Sequence, residues 1–199
     1  MNYLAHLYLS GSNKDILLGN FIADGIKGED RSNYKKGVLQ GISLHKKIDD
    51  FTDKHEMFKQ STRRLNSKYG HYAWVIVDIY YDHFLAKYWE EYHNENLDVY
   101  ASGIYRLLST RHDELPKQSQ RFLWYMKEYN ILFNYSKLEG ISLVLNGLSR
   151  RARFESKMEE SIDDLKAMYT DFESDFREFF PQLEKFVKKQ EEYQLKHTK

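Results

Sequence analysis

The 199-residue chain predicts an all-α fold, a helical bundle forming one domain over residues 1–199. Three observations carry this expectation. Only two prolines, Pro116 and Pro181, interrupt the chain, strand-like alternation is scarce, and apolar residues recur at three-and-four spacing in most segments. Taken in order, a short helix is expected over about Asn2–Leu9, with Gly11-Ser12-Asn13 as break and cap. The next runs from about Lys14 to Ile26 and stops near Gly28. A third begins near Ser32 and reaches His55, and a fourth covers Met57–Lys68. Gly70 separates that helix from a long one, His71 to His93. VIVDIYY (Val75–Tyr81) is rich in strand formers, yet its apolar stripe continues at helical spacing into Leu85 and Trp89, so a buried helix is expected. Further helices follow over Leu97–His112, Pro116–Tyr129, Ser136–Arg151 and Ser156–Phe180, and then from Leu183 onward. The aromatic-rich zone Tyr105, Phe122, Trp124, Tyr125, Tyr129, Phe133 and Tyr135 reads first as core, with a groove for an apolar or partner surface as the alternative.

Composition narrows the function. Thirty basic and thirty acidic residues give a formal net charge of zero, so any electrostatic partner must be met by a local patch. The basic residues form no single stripe, which argues against nucleic-acid binding. The chain has no cysteine, which excludes disulfides, thiolate nucleophiles and cysteine-based zinc sites. The N-terminus lacks the pattern of a signal peptide, and no apolar run reaches the roughly 20 residues needed to span a bilayer. A cytoplasmic protein with no membrane partner is expected; composition is silent on oligomeric state.

Three segments place ionisable residues on stripes otherwise apolar. Val38, Ile42, His45, Asp49 and Thr52 share one helix face, and Val75, Asp78, Asp82, Leu85 and Trp89 share another. Leu17, Asn20 and Asp24 form a third stripe, and Asn2 and His6 are also four apart. Side chains four apart on a helix lie about 6 Å apart at Cβ. Lone buried carboxylates are costly, so such a set needs partners or a cation. Asp50 and Asp53 lie off the main stripe and suit a solvated face or a hydrogen bond to a ligating histidine. Carboxylate and imidazole together suit Mn²⁺, Mg²⁺ or Fe²⁺ rather than a closed structural zinc site. Such ions promote phosphate-ester hydrolysis, with His83 or His6 placed to donate a proton to the leaving alkoxide. No nucleophilic-serine, phosphate-loop or dinucleotide pattern is present.

MNYLAHLYLS, GNFIADGIKG, GISLHKKIDDFTD, DIYYDHFLAKYW and VLNGLSRR, followed by FFP at Phe179–Pro181, occur in that order along the chain. Together they resemble the acyl carrier protein phosphodiesterase family over the whole length. The resemblance implies hydrolysis of holo-acyl carrier protein to the apo form and 4′-phosphopantetheine. It also implies a divalent cation, most commonly Mn²⁺, and an α-helical fold distantly like the HD-domain phosphohydrolases. The family's GN-x-x-AD falls on Gly19–Asp24, its H-x-x-x-D on His45–Asp49 and its D-x-x-x-DH on Asp78–His83. It thus implies Asp24, His45, Asp49 and Asp78 as metal ligands, with Asp82 and His83 close by. The acidic substrate protein calls for a basic rim, for which Arg63-Arg64, Lys46-Lys47 and Arg150-Arg151-Ala152-Arg153 are candidates. Arg150 and Arg151, which follow Asn146-Gly147 in the shared motif, are also suited to grip phosphate. Other readings are a related phosphohydrolase acting on a small nucleotide or another phosphate ester, a non-catalytic helical binding module, and a structural protein with paired core charges.

Overall fold

The computed structural model describes residues 1–26 and 33–197, and the expected stop at Gly28 and start at Ser32 lie outside them. The described residues form twelve α-helices and no strand. The sequence explains the first turns closely. Helix α1 (Tyr3–Tyr8) begins at Asn2, whose side chain accepts the Tyr3 N–H at 2.7 Å. Helix α2 (Lys14–Ile22) begins at Asn13, which accepts from Asp15 and Ile16, and it tightens into a 3₁₀ turn at Ala23–Ile26. Helix α3 (Lys36–Lys54) ends at the extended His55, whose ring caps α4 (Glu56–Tyr69). Gly70, at a φ of +53°, ends α4 in a conformation that favours glycine.

Helix α5 (Tyr72–Lys87) is the centre of the molecule. Ile76, Val77, Ile79, Tyr80, Tyr81, Phe84 and Leu85 are fully buried, so this helix is apolar nearly all round. The strand-forming bias of Val75–Tyr81 is overridden because helices surround it on every side: α1, α4, α10 (Leu138–Ser149) and α12 (Tyr169–His197). Phe172, Phe176 and Phe179 of α12 meet Tyr80, Tyr81 and Phe84 at ring separations of 5.0–5.8 Å. Each such buried ring contributes roughly 1.5–3 kcal/mol.

Three boundaries differ from expectation. The long helix from His71 is broken at Tyr88, and a separate α6 (Trp89–Tyr92) follows, tied down by Trp89 Nε1 donating to the Glu95 carbonyl at 2.7 Å. After α7 (Leu97–Thr110) and α8 (Lys117–Glu128) a short α9 (Ile131–Asn134) precedes α10. The segment from Ser156 contains α11 (Ser161–Ala167), and α12 then continues through Pro181. Proline forfeits one backbone donor there, but Phe179, Phe180 and Leu183, all fully buried, hold both sides of it in the core. Among the described residues no helix is long and apolar enough to cross a membrane.

Candidate metal centre

Helices α2 and α3 approach unusually closely because glycine faces glycine. A Cβ on Gly19 would fall 1.9 Å from the Val38 carbonyl oxygen, and one on Gly41 would fall 2.0 Å from that of Ile16. This contact sets Asn20 of α2 beside His45 of α3, while α1 brings His6 against both. The Asn20 amide is fixed by its own bonds. Its Nδ2 donates to the His6 carbonyl, which only accepts, at 2.8 Å, and to Ser10 Oγ at 2.9 Å. Its Oδ1 therefore faces both imidazoles, 2.9 Å from His6 Nδ1 and 3.0 Å from His45 Nδ1.

A carbonyl oxygen only accepts, so both Nδ1 atoms carry the proton. In the neutral rings both Nε2 atoms are then bare lone pairs. Those lone pairs converge on Asp49, with His6 Nε2 at 3.1 Å from Oδ1 and His45 Nε2 at 3.2 Å from Oδ2. Asp24 Oδ2 lies 3.7 Å from His45 Nε2. Burial, reinforced by the neighbouring His45, pushes the His6 pKa down to about 4, so His6 is neutral near pH 7. The buried His6 Nε2 has no hydrogen-bond partner despite the nearby carboxylate oxygen. Ring lone pairs set against carboxylate lone pairs repel unless a cation lies among them. His6, His45 and Asp49 offer one ligand atom each, all within 4.8 Å of one another. Two imidazoles and a carboxylate at the bottom of an open cavity are a donor set that fits a divalent ion.

The other expected site residues are distributed differently. Asp78 lines the same cavity but receives the Met1 ammonium at 2.6 Å. Asp82 is fully buried beneath α1 and accepts the Leu4 N–H at 2.8 Å and the Ala5 N–H at 3.3 Å. Burial, partly offset by the Met1 charge and these two bonds, raises its pKa to about 7. His83, expected to donate a proton, is engaged elsewhere. Its Nδ1 donates to the Tyr135 carbonyl at 2.8 Å, leaving Nε2 to accept from Tyr169 at 2.8 Å, and Lys87 donates to that hydroxyl at 2.9 Å. Arg63 pairs with Glu56 and Arg64 with the buried Asp175, so both have carboxylate partners outside the cavity. Asn146 turns back onto the Ser142 carbonyl of its own helix. Lys47 donates to Gln190, and Asp50 lines a separate apolar hollow with Phe51 and Phe186. The adjacent His112–Asp113 pair is exposed and outside the cluster. Asn20, which orients both histidines, was legible only as a polar residue on the Leu17–Asp24 stripe.

The cluster sits in a cavity of about 400 Å³ lined also by Asn2, Tyr3, Asp53 and Leu148. Tyr3, Asp24 and Leu148 are shared with a larger groove of about 790 Å³, whose other walls include Phe122, Trp124, Tyr125, Lys117, Arg121 and Arg151. Of the aromatic zone, Tyr105 and Tyr135 are core, whereas Phe122, Trp124 and Tyr125 line this groove. Arg151 thus reaches the groove, held by a bond from Nε to the Gly147 carbonyl and lying over the Tyr125 ring, while Arg150 is exposed at the end of α10.

Residues 1–183 match the family model described as acyl carrier protein phosphodiesterase. Among curated relatives, the acyl carrier protein phosphodiesterase of Photorhabdus laumondii is 30% identical over 184 residues, covering 92% of this chain and 93% of its own. That of Klebsiella pneumoniae is 31% identical, with 92% and 95% covered. That of Pectobacterium atrosepticum is 27% identical, with 96% and 100% covered. No solved structure matches the chain.

Proposed function

We propose that this chain, which belongs to the acyl carrier protein phosphodiesterase family, is a metal-dependent hydrolase that removes the 4′-phosphopantetheine arm from holo-acyl carrier protein. The observation that carries the metal requirement is the pair of bare Nε2 atoms, fixed by Asn20 and aimed with Asp49 at one point.

His6, His45 and Asp49 are the residues that would hold the ion, with Asp24 at the mouth beside His45. A divalent cation bound there supplies positive charge to polarise the phosphoryl oxygens and to acidify water, and Mn²⁺ suits this donor set, as do Mg²⁺ and Fe²⁺. Asn20 holds both rings in the tautomer that ligation needs, so no proton has to move before binding. Asp78 and Asp82 support the floor: one anchors the start of the chain, and the other satisfies the first N–H groups of α1, fixing the helix that carries His6. Tyr3 and Leu148 line both the cluster's cavity and the groove, and Arg151 lies on the groove side, where a planar guanidinium suits a phosphate oxygen pair.

The test is mass spectrometry of holo-acyl carrier protein incubated with the protein and Mn²⁺. Loss of the phosphopantetheine mass, abolished by EDTA and by Asp49→Ala, is the expected result. An unchanged carrier protein in the presence of a bound metal ion would transfer the site to another phosphate ester.

A further inference from the structure

The described arginines fall into a paired and an unpaired group, and of the unpaired ones Arg106 stands apart on α7. Arg63, Arg64, Arg111 and Arg177 are each paired with carboxylates, Arg111 and Arg177 with two apiece. In contrast, Lys117 and Arg121 of α8 and Arg150, Arg151 and Arg153 after α10 have no carboxylate at ion-pair distance among the described residues, and all five are exposed. Lys117, Arg121 and Arg151 line the same groove, in which Asp24 is the single acidic wall residue among those described. A large apolar side chain stands in this groove too, Trp124 being 63% exposed. In a chain of zero net charge, this is a local cationic surface with an aromatic anchor, beside the metal centre, with whose cavity the groove shares Tyr3, Asp24 and Leu148. Unpaired cations around an exposed tryptophan are suited to an acidic protein surface, since rim charges steer the encounter and an aromatic anchor supplies contact area.

We infer that the face built by Lys117, Arg121, Trp124 and Arg151 docks the acidic carrier protein, whose phosphodiester then reaches the metal centre beside Tyr3, Asp24 and Leu148. The inference rests on the proposed function for the identity of the acidic partner. It assigns docking to α8 and the segment after α10, and not to Arg63 and Arg64.

Binding of fluorescently labelled apo-acyl carrier protein, which has no arm to hydrolyse, tests the surface separately from the reaction. Lys117→Glu with Arg121→Glu, and separately Trp124→Ala, should each weaken binding about tenfold or more, while Lys185→Glu with Lys189→Glu, at exposed positions of α12, makes the same charge change as the first double variant without effect. Raising the salt concentration should weaken wild-type binding and have much less effect on the first double variant. Circular dichroism of the variants checks that each is folded. Equal binding by wild type and the two test variants, or no wild-type binding at low salt, would overturn the inference. Binding that is lost in those variants, with no phosphopantetheine release by the wild type, would leave the docking surface standing and remove the proposed reaction alone.

Discussion

The imidazoles of His6 and His45 stack with centroids 4.0 Å apart and planes 19° from parallel, both hydrogen-bonded through Nδ1 to the one oxygen of Asn20. Two protonated rings at that distance would repel, and the Asn20 oxygen accepts from the Nδ1–H of each, which turns both Nε2 atoms toward Asp49. Nitrogen-detected NMR of the metal-free protein near pH 7.5 should show both rings protonated at Nδ1. An Nε2–H tautomer in either ring would contradict the orientation derived for Asn20. Asn20→Ala should release the tautomers and lower Mn²⁺ affinity by about 10–100-fold.

The crossing of α2 and α3 depends on Gly19. Gly19→Ala would place a methyl 1.9 Å from the Val38 carbonyl oxygen, which is backbone and has nowhere to yield without parting the helices. The expected loss of stability is about 2 kcal/mol or more, with weakened metal binding because Asn20 moves away from His45. Urea unfolding measures the first effect and Mn²⁺ titration the second. Wild-type stability in Gly19→Ala would mean that the crossing is not as tight as described.

Acid should destabilise the metal-free protein through His6. Its folded pKa of about 4 lies below the ordinary histidine value, because burial and His45 both disfavour the charged ring. The unfolded chain therefore takes up a proton below about pH 6.5 that the folded one refuses until about pH 4. Stability from this group is complete above that window and is lost as pH falls through it, at up to about 1.4 kcal/mol per unit. Asp82 acts in the opposite sense, its pKa being raised to about 7 chiefly by burial, so the useful quantity is the difference between wild type and His6→Gln. That difference should shrink between pH 6.5 and 4 in urea unfolding with EDTA present. A difference independent of pH would show that His6 is not the buried neutral base.

The helical class, the buried nature of Val75–Tyr81 and the His45–Asp49 pair were legible in the sequence because each follows from spacing along one helix, whereas His6, expected as a proton donor, joins that pair as a third ligand atom only because α1 brings it against α3. Spacing could not separate Asp78–Asp82–His83 from them. That pattern is equally good, yet the Met1 ammonium, the α1 N–H groups and the Tyr135 carbonyl take those side chains, and all of these partners come from other elements. The break at Tyr88 and the passage through Pro181 were hidden for the same reason, since tertiary packing overrides a local preference. Arg63 and Arg64 looked as promising as Arg151, because the carboxylates of Glu56 and Asp175 that pair with them become neighbours through helix geometry and a 111-residue separation, respectively. Lys117 and Arg121 had no local pattern at all and gain meaning only from the groove they share with Trp124.

The most direct test of the central claim is calorimetric titration of Mn²⁺ into the metal-free wild-type protein and into Asp49→Ala and His45→Ala. The account predicts binding at a site that both substitutions abolish, with protons released little near pH 7.5 because His6 already presents a bare Nε2. Binding of equal strength in all three proteins, or none in the wild type, would show that His6, His45 and Asp49 do not form a metal centre.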